Sequence, residues 1–259
     1  MNTFFTSDTH FHHKNIVAGT SEWDDKRECR DFDTLEEHNA KLVQNINALV
    51  KPNDILYHLG DWSFGGVERI WEFRKQLHCK NIHLILGNHD HHIENNKNIV
   101  MTAADCDRAV ELGILDGIHG YVNGEPSYAK LIGSCWTSIK MELDHETTYK
   151  LPIQMMFKSV NQTLFRKING KTMFLSHYAH RVWRDGNHGT IHLYGHSHGT
   201  LPEYSSPFQL HQTPVYYRCM DVGVDTHPEF RPYHFDEIIK EMSFRFPLQV
   251  DHHNEKSGR

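Results

Sequence analysis

Five short blocks punctuate the chain in a fixed order: Asp8-Thr-His10, Gly60-Asp61, Gly87-Asn88-His89-Asp90, His177 and Gly195-His196-Ser197-His198. Each ends a short apolar run that reads as a β-strand, and open α/β sheets bind ligands beyond the carboxyl ends of their strands. All five can therefore converge on one edge of a sheet. Singly they say little: Asp8-Thr-His10 and Gly60-Asp61 suit turns, and a lone His177 suits a packed core. Gly87-Asn88-His89-Asp90 is more specific, because a turn needs Gly-Asn but not the His-Asp that follows. Together they supply the carboxylate, imidazole and amide groups that hold two hard-to-borderline divalent cations side by side.

The segments between the blocks fit that frame. Residues 2–7 read as a buried strand emptying into Asp8. Asp33 or Thr34 can cap a helix reaching about Val50, with Glu36 and Glu37 in its first turn. Leu35, Leu42, Val43, Ile46, Leu49 and Val50 fall on one stripe of it. Residues 54–59 form the strand before Gly60-Asp61. A second helix is expected over 67–78, with Ile70, Trp71, Phe73, Arg74 and Leu77 on its apolar side, and residues 82–86 form the strand before Gly87. The second half is richer in strands, at about 117–122, 171–176, 190–194 and 219–222, with a last helix near 236–242. Between 123 and 169 the pattern is poor, and we read a family-variable insertion there: a lid, a dimer contact or a plain surface excursion. No Gly/Ser- or Pro-rich linker divides the chain, and the blocks draw on both halves. One domain over 1–245 is expected, followed by a polar tail over 246–259.

Composition narrows the function. With 38% hydrophobic and 23% charged residues, the chain has ample material for a core. A formal charge of −6 gives no support to a broad duplex-DNA surface, which carries a basic excess. A small nucleotide or a short single strand stays open. Histidine stands out at 23 residues; outside the blocks, His78, His83, His145, His252 and His253 read as solvated surface. The five cysteines (Cys29, Cys79, Cys106, Cys135, Cys219) are scattered and never form C-x-x-C, which argues against a disulfide framework and a zinc ribbon. The first residues enter a strand without a basic-then-apolar leader, and no segment approaches about 18 apolar residues. The expectation is a cytoplasmic protein, of a bacterial cell or a virus-infected host cell, with no membrane partner.

The order and wording of the blocks resemble the calcineurin-like metallophosphoesterase superfamily. Beyond the ligands, Phe5-Thr-Ser-Asp-Thr-His-Phe11, His13-Lys-Asn-Ile16, Tyr57-His-Leu-Gly-Asp61, Asp221-Val-Gly-Val-Asp225 and Arg231-Pro232 look like a bacterial and phage-encoded subgroup of small metallophosphoesterases. The resemblance covers about 1–122 and 171–240. That subgroup often has Gly where this chain has His12, and Arg-Pro-Phe where it has Arg30-Asp31-Phe32.

The resemblance implies an α/β fold of the α/β/β/α sandwich type: two facing mixed β-sheets flanked by helices, with a dinuclear metal site at strand carboxyl ends. It implies Asp8, His10, Asp61 and His198 around one ion, and Asp61, Asn88, His177 and His196 around the other, with Asp61 as bridge. Residues i and i+2 of a strand point to the same side, so His196 and His198, like Asp8 and His10, are expected to project together. A mixed N/O set without thiolate suits Mn²⁺, Fe, Co²⁺, Ni²⁺ or Zn²⁺; Mn²⁺ is chosen because the resemblance implies it as a common activator. The two divalent ions would share a hydroxide that attacks phosphorus. His89 would protonate the leaving oxygen or stabilise the transition state, oriented by Asp90. Outside the ligands, His13 reads as a substrate phosphate contact or a loop histidine, and Arg30 as a substrate clamp or a surface arginine. His58 reads as a donor behind the ligands or a packed strand histidine, and Asp225 as a partner of a ligand or a turn residue.

The expected activity is hydrolysis of a phosphodiester or phosphomonoester in a small nucleotide-like substrate. The enzyme rival is a metal-dependent nuclease on short or single-stranded nucleic acid, for which Tyr178, Arg181, Trp183 and Arg184 would supply stacking and charge. A non-catalytic interaction module of the same fold would shed ligands or the catalytic histidine, and here all those positions are filled. A phosphoprotein phosphatase would need Arg-rich signature blocks that this chain lacks.

Overall fold

The computed structural model describes residues 1–143, 147–201 and 216–248. Strand β1 (Thr3–Thr6), helix α1 (Leu35–Leu49), β2 (Ile55–His58), α2 (Val67–Gln76) and β3 (Asn81–Ile85) open the chain. Next come α3 (His91–Glu94), β4 (Asn98–Met101), α4 (Ala103–Glu111), β5 (Gly117–Val122), β6 (Glu125–Ile132), β7 (Cys135–Ser138), β8 (Lys140–Glu142) and β9 (Thr148–Pro152). The rest comprises β10 (Ser159–Asn161), β11 (Thr163–Ile168), β12 (Lys171–Ser176), β13 (Ile191–Tyr194), β14 (Cys219–Asp221), β15 (Tyr233–His234) and α5 (Phe235–Met242). This is a mixed α/β arrangement.

Local chemistry accounts for the helix starts. Thr34 caps α1 by accepting a hydrogen bond from the Glu37 backbone N–H. Thr102 and Asp105 exchange hydrogen bonds at the start of α4, a helix the apolar spacing did not announce.

Two sheets position the ligand blocks. One runs in the order β10-β3-β2-β1-β15, the other β11-β12-β13-β14. In the first, β10, β3, β2 and β1 are parallel; in the second, β12, β13 and β14 are parallel. Strand alternation sorts the side chains by face. Phe4, Leu56 and Leu84 pack with Leu42, Ile46, Trp71 and Phe73 of α1 and α2. Their neighbours Phe5, Tyr57 and Ile85 face Met173, Leu175, Ile191 and Leu193 of the second sheet in one buried cluster. The outer face of the second sheet meets Trp183, Tyr217 and Leu248. None of these three is helical, so among the described residues the helical layer expected on this side is replaced by irregular chain. Instead, α5 contacts β1 and β15 and feeds Ile238 into the cluster between the sheets.

Three sequence expectations need correcting. Residues 123–169 are not a surface excursion: β10 extends the first sheet beside β3 and β11 opens the second. Tyr128, Tyr149, Leu151 and Phe157 from this stretch are buried in the core. Its longest strand, β6, does not alternate: the neighbours Tyr128 and Ala129 are both buried, and Leu131 and Ile132 are both exposed, so no period-2 pattern registers. The tail does not begin at 246, since Phe246 pairs with Tyr217 and Leu248 is buried; residues 249–259 lie outside the described residues. His83 is half-buried, with Nδ1 2.8 Å from Ser159 Oγ. His78 is exposed as expected, whereas His145, His252 and His253 lie outside the described residues. No helix among the described residues is long and apolar enough to cross a membrane.

Candidate metal centre

The carboxyl ends of β1, β2, β3, β12 and β13 meet, and the blocks that follow them form two adjoining groups. Asp8, His10 and His198 make one, and Asp61, His177 and His196 the other; within each, the potential ligand atoms lie within 4.8 Å of one another. The groups join at Asp61, whose Oδ2 lies 3.5 Å from His10 Nε2 and 3.5 Å from His177 Nε2. Its Oδ1 accepts a hydrogen bond from the His89 backbone N–H at 3.0 Å. Asn88 Oδ1 lies 3.0 Å from His177 Nε2, which adds it to the second group. The seven residues expected as ligands are thus brought together. His89 stands beside both groups and belongs to neither, its ring 5.4 Å from that of His10.

The backbone that achieves this is not a strand pleat. Asp8, His10, Asp61, His196 and His198 all have positive φ, between 44° and 69°, in the sparsely populated left-handed region where non-glycine residues cluster at functional sites. The i, i+2 projection expected from strand alternation is therefore produced by tight turns just past the strand ends. His12 shares this conformation at φ 69°, which explains why glycine suits that position. Close approach fixes two block glycines: a Cβ on Gly87 would strike Asp61 Oδ1, and one on Gly195 would strike Asp8 Oδ2 and Ser7 Oγ.

Behind these seven residues lies a hydrogen-bonded frame. His177 Nδ1 meets the Leu59 carbonyl at 2.8 Å, leaving Nε2 to face Asn88 and Asp61. His198 Nδ1 meets Asp225 Oδ2 at 2.6 Å, the arrangement that fixes an imidazole for ligation through its other nitrogen. Asp225 in turn accepts from Arg30 Nε at 2.6 Å and Arg30 Nη2 at 2.7 Å. Arg30 is buried and also donates to the Thr9 and Asp8 carbonyls. It is neither a substrate clamp nor a surface residue, because its donors are consumed in tying Asp225 to the Asp8 turn. Asp225 is thus tied to His198 and Arg30 rather than serving only a turn.

Asp90 also departs from expectation. It does not orient His89. Its Oδ2 accepts from the backbone N–H of Asp61 and of Gly87, each at 2.9 Å, and its Oδ1 from Trp62 N–H at 3.0 Å. A carboxylate beside a functional histidine looks like its orienter, but here it staples the Asp61 turn to the Gly87 turn. His58 is fully buried, with Nε2 2.9 Å from Thr9 Oγ1, so it braces the loop between Asp8 and His10. His10 Nδ1 is buried with no hydrogen-bond partner among the described residues.

Electrostatics show what the centre lacks. Asp8 and Asp61 are buried, and among the described residues their ion-pair partners are histidines only, with no Lys or Arg. Burial pushes the Asp8 carboxyl up to about 8. Burial, reinforced by Arg30, holds His10 well below the ordinary histidine range. Burial lowers His177 too, against the pull of Asp61. For His198 burial acts the same way, but the Asp225 and Asp8 carboxylates outweigh it and raise it. Meanwhile His10 Nε2 and His198 Nε2 approach to 3.3 Å. Buried carboxylate oxygens and imidazole nitrogens converge with no cationic side chain between them, a donor set that divalent transition metals fit.

The other named residues sort clearly. His13 stacks on Phe64, centroids 4.2 Å apart, near His10 and His89. Trp183 is buried and donates to the Thr190 carbonyl, and Arg184 lies over the Phe165 ring. Arg181 is exposed, and Tyr178 lies against the centre, 4.8 Å from the His196 ring. Phe64 and Trp23, near His13, were missed, because an isolated aromatic in a turn-rich segment carries no sequence signal.

No family model matches the chain. It is 36% identical over 89 residues to an uncharacterized protein of Methanocaldococcus jannaschii, a match spanning 34% of this chain and 46% of that relative. It is 25% identical over 244 residues to the Gene 66 protein of Mycobacterium phage L5, covering 86% of each. A solved protein of unknown function from Aquifex aeolicus aligns over 93% of this chain and 98% of its own, at 16% identity and a TM-score of 0.48.

Proposed function

We propose that this chain is a dinuclear metal-dependent phosphoesterase of the calcineurin-like kind, acting on a phosphodiester or phosphomonoester of a small nucleotide-like molecule. One observation carries the reading: Asp61 Oδ2 is equidistant from a histidine nitrogen of each group, at 3.5 Å, a position from which one carboxylate would serve both ions. The two sheets that share one buried cluster support the two-sheet layout the resemblance implies.

Asp8, His10, Asp61 and His198 would hold one divalent ion, and Asp61, Asn88, His177 and His196 the other, with Mn²⁺ the first choice and Fe, Co²⁺, Ni²⁺ or Zn²⁺ suited to the same donors. Bound there, such a pair supplies an acidified water and neutralises phosphoryl charge. The protein's own groups do the rest. His89 is surplus to both groups yet beside them, placed to hold a proton for the leaving oxygen. Its backbone N–H meanwhile fixes Asp61 Oδ1. Arg30 and Asp225 keep the His198 ring turned so that Nε2 faces the centre.

The test is hydrolysis by chelator-stripped protein resupplied with Mn²⁺ or Mg²⁺. The substrates are bis-p-nitrophenyl phosphate, p-nitrophenyl phosphate, cyclic nucleotides and single-stranded DNA. Mn²⁺-dependent turnover of an aryl ester or nucleotide, unaffected by reducing agent, is the expected result. Cleavage confined to DNA would favour the nuclease. No turnover with any metal would remove the enzyme reading.

A further inference from the structure

A cleft of about 660 Å³ opens from the Asp8–His10–His198 side of the centre, within the size range of small-molecule sites. Its outer wall is aromatic. His13 and Phe64 stack at 4.2 Å with an interplanar angle of 25°, and Trp23 meets His13 edge-on at 5.9 Å and 75°. Phe64 and Trp23 remain 40% and 45% exposed at this mouth, though large aromatics are normally covered. Lys14 and Asn15 are among the other lining residues and add polar groups at the edge, with Lys14 Nζ paired to Glu22 at 2.7 Å.

This wall is fixed relative to the centre. Phe64 N–H donates to the Phe11 carbonyl at 2.8 Å, joining its loop to the Asp8–His13 turn. The loop carrying Trp23 is closed at its base by pairing of Val17 with Arg30, the residue that grips the Asp8 and Thr9 carbonyls. Flat aromatic faces beside the proposed phosphoester centre, with the His13 ring 5.5 Å from that of His10 and the Phe64 ring 5.4 Å from that of His89, match a planar heteroaromatic ring joined to a phosphate through a sugar.

We infer that Trp23, Phe64 and His13 form a base-binding subsite, and that the substrate is a nucleoside phosphate ester whose base stacks there while its phosphate sits at the centre. This rests on the phosphoesterase reading and sharpens it, by separating nucleotides from sugar phosphates and simple alkyl esters.

The test is isothermal titration of the Mn²⁺-loaded full-length His89→Asn protein, which on the phosphoesterase reading keeps its metal and turns over slowly. The ligands are AMP and ribose 5-phosphate, which share the phosphate and sugar but differ in the base; the variants below are made in that background. AMP should bind about 10–100-fold more tightly, the range set by one base–aromatic stack. Trp23→Ala and Phe64→Ala should each erase most of that advantage and leave ribose 5-phosphate affinity unchanged. Phe64→Leu, with a melting curve for each variant, separates lost stacking from lost fold. Equal affinity of the two ligands, or an AMP preference that survives both substitutions, overturns the subsite and leaves the phosphoesterase reading standing. Failure of both ligands to bind overturns the two together.

Discussion

The two halves of the candidate centre use similar donors but are enclosed differently. In the first, Asp8 and His10 are buried, and His198 is backed by the Asp225–Arg30 pair. The Asp8 carboxylate is also pinned by the His196 backbone N–H, 2.9 Å from Oδ2. In the second, Asp61 and His177 are equally buried, but Asn88 and His196 are exposed. Behind His177 stands a neutral backbone carbonyl rather than a carboxylate. Ligands locked by charged partners are preorganised and bind more tightly than ligands that must be ordered on binding. On the proposed reading, the first position would therefore retain its ion and the second exchange one.

The bridge gives the largest effect, because it belongs to both halves. Asp61→Asn should weaken both ions and lower kcat/KM by at least about 10³-fold, the scale of losing metal-based charge stabilisation. Metal analysis and kinetics on one preparation check it. Two equivalents retained tightly by this variant would make the halves independent.

His89→Asn should act on chemistry and spare both halves. Turnover should fall about 10²–10⁴-fold on esters with poor leaving groups, and less on p-nitrophenyl esters, whose leaving group hardly needs a proton. Metal content should stay at the wild-type value. A lost equivalent would show that His89 is a ligand.

His196→Ala addresses the inequality of the halves. It should strip the weaker ion and leave the tighter one, so the titration loses one step. Loss of the tight step instead would reverse the assignment of the halves. The smallest effect is expected from Asp225→Asn, which removes the charge behind His198 and should loosen only the first ion, by about 10–100-fold. Arg30→Met should do the same through the same path; an unchanged metal affinity in both would leave the Asp225–Arg30 pair a purely structural feature.

The convergence of these seven residues was legible because each block ends a strand, and strand ends are where parallel sheets gather their loops. What holds them was not. The positive φ values at Asp8, Asp61 and His198 leave no mark in side chains that also suit ordinary turns. Arg30 reaches Asp225 across 195 residues of sequence, and nothing local to either residue announces the pair. Asp90 misled for the opposite reason. Its neighbour His89 offered an obvious local partner, but three backbone N–H groups compete for its two oxygens and win. The same limit hid β10, three residues long, which becomes part of a sheet only by lying beside β3.

Calorimetric titration of chelator-stripped wild-type protein with Mn²⁺ tests whether the centre holds two metal ions with unequal strength. Two equivalents per chain, bound in two resolved steps with the first tighter, are the expected result. A single equivalent, or none, would refute the shared-carboxylate centre.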